Sequence, residues 1–150
     1  ETNITVNGED VSKEIRSFEV NSNVSEISAI EGVRKILVKK QQEMGKDGGV
    51  VMEGRDITTV VYPNADVKIY LTAGIDERAV RRAKEFSEKG TDVPIEKVKE
   101  NLKNRDFIDS NREASPLTKS PDAIEVDTSN TTIEEQVELI IKEFKIVSEK

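Results

Sequence analysis

Val50-Val51-Met52-Glu53-Gly54-Arg55-Asp56 is a short apolar run, preceded by Gly48-Gly49 and closed by a glycine and two opposite charges. Continuous apolar runs of this kind suit strands buried on both faces, as in parallel sheets. A second run, Val67-Lys68-Ile69-Tyr70-Leu71, reads the same way and leads into a charged helix from about Asp76 to Lys89, closed by Gly90. Pro94 suits the first turn of the next helix, whose apolar face is Ile95, Val98 and Leu102. Ala123 to Val126 is a third strand candidate. Thr131 or Thr132, with Glu134 or Glu135 three residues on, offers a capping box for a last helix. That helix is expected to bury Ile133, Val137, Ile140 or Ile141, Phe144 and Val147. Strands alternating with helices predict an α/β layer architecture with parallel strands.

Upstream, Ile4 to Ile15 alternates loosely around Asn7-Gly8, a turn pair suited to positive φ, and predicts a short antiparallel hairpin. From Val24, apolar residues at Ile27, Ile30, Val33 and Leu37 have helical spacing. Gly32 is a candidate break into two helices, and Gly45 with Gly48-Gly49 ends the stretch.

The 150 residues contain neither cysteine nor histidine. Disulfides, thiolate nucleophiles and Cys-ligated zinc are excluded, and with histidine go the commonest general base and metal ligand. The net charge of −7 opposes non-specific attraction to nucleic acid or anionic lipid. Aromatics are scarce and not interleaved with arginine, which disfavours a base-stacking platform. No run reaches membrane-spanning length and no charged-apolar-small leader opens the chain, so a soluble, cytoplasmic protein is expected.

Three clusters stand out against this acidic background. Gly54-Arg55-Asp56 follows the first strand candidate, where ligands bind in parallel α/β sheets. The glycine lets backbone approach a ligand, Arg can fork onto a phosphate, and Asp can accept from an amino group. Taken alone, the tripeptide reads equally well as a turn with a surface ion pair. In Arg105-Asp106-x-x-Asp109-x-x-Arg112, positions 105, 109 and 112 share one helix face. Two arginines flanking a carboxylate could clamp a phosphate and a sugar hydroxyl, although an exposed salt-bridge ladder is the commoner meaning. Arg78 and Arg82 face together while Arg81 points elsewhere, a like-charge pair that an anion would relieve.

Together these clusters resemble a family. Gly54-Arg55-Asp56-Ile57-x-Thr59-Val60-Val61-x-Pro63, then Val67-Lys68-Ile69-x-Leu71-x-Ala73, then Glu77-Arg78-Ala79-x-Arg81-Arg82, resemble bacterial cytidylate kinase. So do Arg105-Asp106-x-x-Asp109-x-Asn111-Arg112-x-x-x-Pro116-Leu117, Gly8-Glu9-Asp10-Val11, Val33-Arg34 and Asp122-Ala123. The likeness runs along essentially the whole chain in the family's order.

The resemblance implies that Ser25, Arg34 and Asp56 recognise cytosine, beside Gly54 in the substrate site. It implies that Arg55 and Arg105 hold the monophosphate and that Asp109 contacts the sugar. Arg81 and Arg112 would approach the transferring phosphoryl group and, with Arg55, form the catalytic set. The implied reaction moves the γ-phosphoryl of ATP, with Mg²⁺, to CMP or dCMP. The expected partners are therefore these nucleotides, with no nucleic acid, no membrane and a monomeric chain. No metal ligand is assigned within the chain. A kinase for another nucleoside monophosphate, or a non-catalytic CMP-binding fragment or scaffold, are the alternative readings.

Two departures qualify the likeness. Thr58 stands where the family usually has glycine, and no Gly-rich loop ending in Gly-Lys-Ser/Thr occurs. The expected fold is thus a phosphate-loop nucleoside monophosphate kinase-like parallel sheet with flanking helices, incomplete for want of that loop and its N-terminal strand. That strand would lie between those at Val50–Met52 and Val67–Leu71. The expected division is a monophosphate-binding hairpin and helix subdomain over about 1–45, a core over about 46–77 and 118–150, and lid and substrate-contact helices over about 78–117. Arg55, Arg105 and Arg112 should converge on one anion site.

Overall fold

The computed structural model describes residues 3–148. It is a mixed α/β chain with one small parallel sheet and five α-helices among the described residues. The N-terminal hairpin pairs β1 (Thr5–Val6) with β2 (Glu9–Asp10) through a two-residue turn. Asn7 and Gly8 both take positive φ, 53° and 87°, as a type I′ turn requires. Pairing stops after two residues per strand, short of the span to Ile15, because Glu14–Arg16 coils into a 3₁₀ turn.

Helix α1 (Phe18–Ala29) is capped by Ser17, whose hydroxyl accepts from the Val20 N–H at 3.2 Å. Helix α2 (Glu31–Met44) follows at once. The break falls at Ile30 rather than Gly32: Ile30 is extended (φ −68°, ψ 117°) while its carbonyl already accepts from Arg34 N–H. Gly32 lies within the first turn of α2, where little helical hydrogen bonding depends on it.

After α2 the chain does not form the expected strand. Val50–Met52 pairs with no described strand, and Val51 is fully exposed. An apolar run becomes a strand only when a neighbouring strand takes up its backbone groups, and among the described residues none pairs with it. Residues Ile57–Val61 form a π-helical turn that buries Ile57 and Val61.

The parallel sheet joins β3 (Ile69–Thr72) to β4 (Ile124–Asp127), in register Ile69↔Ile124 to Thr72↔Asp127. Each strand starts one or two residues later than the apolar runs suggest. Between them run α3 (Ile75–Glu88) and α4 (Ile95–Asn111), with Gly90 at φ 78° and Pro94 at the N-cap of α4. The buried core lies where α1, α3 and α4 meet: Ala79, Phe86, Val98 and Leu102, with Phe18 edge-on to Phe86 at 5.7 Å. Ile95, expected on that face, is exposed.

Helix α5 (Ile133–Ser148) starts with the expected capping box. Glu135 accepts from the Thr132 N–H at 2.7 Å, and Thr132 Oγ1 accepts from the Glu135 N–H at 3.2 Å. Its apolar stripe, however, is not buried: Ile133, Val137, Ile141, Phe144 and Val147 are exposed. Among the described residues no element covers that face.

Phe86→Ala should therefore destabilise the three-helix unit by about 3–4 kcal/mol, by removing a buried ring and leaving a cavity. Val51→Ala should stay within about 0.5 kcal/mol, since Val51 touches no core. Urea unfolding of both variants followed by circular dichroism checks the contrast; equal midpoints would show that the core lies elsewhere.

Candidate functional site

Two aspartates three residues apart on α4 organise the site, because i, i+3 spacing puts Asp106 and Asp109 on one face. Asp109 is 2% exposed. Its Oδ1 accepts from Arg112 Nη1 at 3.2 Å, and its Oδ2 lies 3.4 Å from Arg55 Nε. Arg55 Nη1 also donates to Asp106 Oδ1 at 2.9 Å. Asp106 in turn takes two bonds from Arg78 of α3, at 2.6 and 3.1 Å. Arginines from a loop, from α3 and from the end of α4 are thereby tied to one pair of carboxylates.

Arg112 is the C-cap of α4 and is held by backbone as well as by charge. Its Nε donates to Ser115 O at 2.7 Å, its Nη1 reaches Ser28 Oγ at 3.4 Å, and its Nη2 is buried without a partner among the described residues. The chain beyond returns over the helix end, with Leu117 N–H donating to Asp109 O at 2.7 Å.

A second pair adjoins the first. Arg34 Nη2 of α2 donates to Asp56 Oδ2, both side chains are buried, and Arg34 Nε has no partner among the described residues. Ser25, 2% exposed, sits on α1 between Asn21 and Ser28 at i, i+4 and i+7 spacing. Gly54 lets the loop turn closely: a Cβ there would lie 3.0 Å from Ile57 Cδ1, the loop's buried anchor.

Arg105 opens onto a cleft of about 330 Å³ lined also by Asn21, Arg78, Arg81, Arg82 and the acidic Glu85. Its Nη1 donates to Asn21 Oδ1 at 3.3 Å, while its Nε is buried without a partner among the described residues. Burial, then the Arg55 cation, lowers the Arg105 pKa, and Arg82 acts in the same direction. Burial, then Arg34, lowers that of Arg112. Asp109 thus joins Arg55 to Arg112, and the Arg55 cation is felt at Arg105, but of the three arginines only Arg105 lines the cleft. Arg81 is held differently. It lines the cleft, but its Nε donates to Glu77 Oε1 at 2.9 Å and its Nη1 to Thr128 Oγ1 at 3.2 Å, just past β4. No hydrogen bond or ion pair joins it to Arg55, Arg105 or Arg112 among the described residues.

The sequence reading passed over Asp106 as a hub, Arg78 as its partner, and Asn21 and Ser28 on α1. The Asn21-x-x-x-Ser25-x-x-Ser28 stripe of small polar residues on a helix otherwise bearing Val24 and Ile27 was the available signal. No group of three acidic side chains poised for a metal occurs among the described residues. No helix among them is long and apolar enough to cross a membrane.

A family model described as cytidylate kinase matches residues 1–146. The chain belongs to the cytidylate kinase family. A cytidylate kinase of Desulforamulus reducens is 50% identical over 138 residues, 92% of this chain and 62% of that protein. One from Bacillus velezensis is 52% identical over 132 residues, 88% and 59% of the two chains. One from Clostridium botulinum is 50% identical over 138 residues, 92% and 64%. The chain spans about three-fifths of the length of these curated relatives.

Two outcomes follow from the cluster. Asp109→Asn should destabilise the fold by about 3 kcal/mol, because it leaves Arg55 and Arg112 facing a buried neutral amide; chemical denaturation measures it. Burial would raise the Asp106 pKa, but hydrogen bonds from Arg78 and then Arg55 hold it below the usual carboxylate value. A carboxylate with a depressed folded-state pKa contributes stability that is complete above its unfolded value, about 4, and is lost as pH falls through the folded value. Asp106→Asn should flatten that part of an acid titration of stability, and an unchanged profile would exclude the ion-pair account.

Proposed function

We propose that this chain is the monophosphate-holding and lid-side part of a cytidylate kinase with the phosphate-loop nucleoside monophosphate kinase fold. The parent protein would transfer the γ-phosphoryl of ATP to CMP or dCMP. The observation that carries the reading is the charge count at the α4 cluster. Three arginines, Arg55, Arg78 and Arg112, meet two carboxylates, Asp106 and Asp109, and Arg105 adds a fourth cation beside them. The surplus of about two positive charges in a chain of net −7 suits a phosphate monoester, which carries about −1.5 to −2 near neutrality.

In this reading Arg55 and Arg105 hold the monophosphate, Asp109 keeps Arg55 in place and lies near the sugar, and Arg112 neutralises charge as the phosphoryl group moves. Phosphoryl transfer depends chiefly on positioning and charge stabilisation, so the absence of histidine is no obstacle. Arg81, held at the end of β4 by Thr128, would need to swing to act on the transferring group. Arg34 and Asp56 present a donor and an acceptor side by side, with Arg34 Nε unpartnered among the described residues, and Ser25 lies on the adjacent helix. Cytosine offers an amino donor next to ring acceptors, and uracil has no such amino group.

The Mg²⁺ that accompanies ATP finds no acidic cluster among the described residues, and such ions are bound largely through the nucleotide's own phosphates. The hairpin with α1 and α2 would form the monophosphate-binding part, and α3 with α4 the lid side.

Isothermal titration of the full-length protein should show CMP and dCMP binding more tightly than UMP. Asp56→Ala should cut the CMP-to-UMP discrimination by about 1–3 kcal/mol, by removing the acceptor for the amino group. The ratio is the readout, because the variant also unpairs Arg34 and weakens both ligands. Equal wild-type affinities for CMP and UMP would reject the assignment. The 150 residues hold no Gly-Lys-Ser/Thr phosphate loop. Expressed by themselves they should not phosphorylate CMP from ATP, and turnover at an ordinary rate in a coupled assay would overturn this.

A further inference from the structure

We propose that Asn21 is a positioning residue that turns Arg82 and Arg105 into one anion-facing pair without adding a negative charge of its own to the cleft. The inference rests on the reading of Arg105 as a phosphate contact. Asn21 lies in the first turns of α1 and is 9% exposed. Its Nδ2 donates to Ser17 O at 2.7 Å and to Arg16 O at 3.4 Å. Those two carbonyls fix which way the amide points, since flipping it would set its oxygen against them and its amino group against two cations. Held so, Oδ1 accepts from Arg82 Nη2 of α3 and from Arg105 Nη1 of α4. One neutral oxygen therefore ties three helices at the wall of the cleft.

The neutrality matters. Arg82 and Arg105 oppose one another, and Arg55 adds to the opposition. Arg82 has other supports: Glu85 on its own helix, and the Phe86 ring 4.9 Å from its guanidinium carbon. Arg105 has no ion pair among the described residues, and its buried Nε has no hydrogen-bond partner. A carboxylate in place of the Asn21 amide would bind both guanidinium groups as an internal anion and compete with any ligand. An amide orients them by hydrogen bonding alone. Its dipole is too weak to cancel the positive field that an incoming phosphate meets.

The test compares Asn21→Asp and Asn21→Ala with wild type in the full-length protein, using isothermal titration with CMP and with inorganic phosphate. Urea midpoints serve as the check on folding. Asn21→Asp is nearly isosteric; it loses the two bonds to the Ser17 and Arg16 carbonyls but gains charge-assisted bonds to Arg82 and Arg105, so it should remain folded with a cooperative urea transition, yet weaken both ligands about tenfold. Asn21→Ala should weaken them about three- to tenfold through loss of alignment. An acceptor that merely braces the helices would leave Asn21→Asp with wild-type affinity for both ligands, and that result overturns the proposal. If Asn21→Ala fails to fold, Asn21→Asp alone decides. Wild-type protein that binds phosphate but not CMP would count against the kinase reading, while a tenfold loss of phosphate affinity in Asn21→Asp would still uphold the role of Asn21.

Discussion

The site depends on a balance of charge that two carboxylates on one helix face maintain. Two like charges about 4 Å apart interact by roughly 4 kcal/mol at the effective dielectric of a protein surface. Arg55, Arg78, Arg105 and Arg112 could not gather without opposite charge among them. Asp109, almost fully buried, is shared by Arg55 and Arg112, and Asp106 by Arg55 and Arg78. Arg55 is common to both carboxylates, which is how a loop residue becomes registered against α3 and α4. The balance is incomplete on the side of Arg105, and that is where the cleft lies.

The apolar residues are distributed unevenly around this polar centre. One buried cluster joins α1, α3 and α4, the same helices that carry Asn21, Arg82, Asp106 and Asp109. The charged side chains thus project from elements fixed by packing, which is what lets their geometry be held closely. Elsewhere apolar surface stays open: Val51, Leu71, Ile124 and the stripe of α5 are exposed. Runs and stripes of this kind mark surface with an affinity for a neighbour without specifying one.

Much of the local structure was legible from residue chemistry. Asn7-Gly8 made a tight hairpin turn because both residues tolerate positive φ. Thr132 and Glu135 made a capping box because each satisfies the other's helix-end N–H. Gly90 and Pro94 marked the break between α3 and α4. Val98 and Leu102 were recognisable as core by spacing. The misses share a cause. Val50–Met52 carried a strand signal and α5 a burial signal, but both describe a preference for burial that only a partner element can meet. The break at Ile30 instead of Gly32 shows the same limit at short range, since an extended isoleucine ended one helix while the glycine stayed inside the next.

By itself the sequence determined the family, the bounds of α3 and the start of α5 within a residue or two though not the start of α1, and the residues Ser25, Arg34, Gly54, Arg55, Asp56, Arg81, Arg105, Asp109 and Arg112 as the ones to examine. These are matters of residue type and local spacing, which a linear reading can see. The tertiary structure decided which charges meet. It joined Arg34 to Asp56 and Arg55 to Asp109, made Asp106 a hub through Arg78, and set Asn21 between Arg82 and Arg105. It also turned Arg81 away toward Thr128. Such pairings span from 22 to 84 residues of chain, from Arg34–Asp56 to Asn21–Arg105. They exist only because the packing of α1 against α4 and of α3 against α4 brings those positions within hydrogen-bond reach, and spacing along the chain carries no trace of that distance.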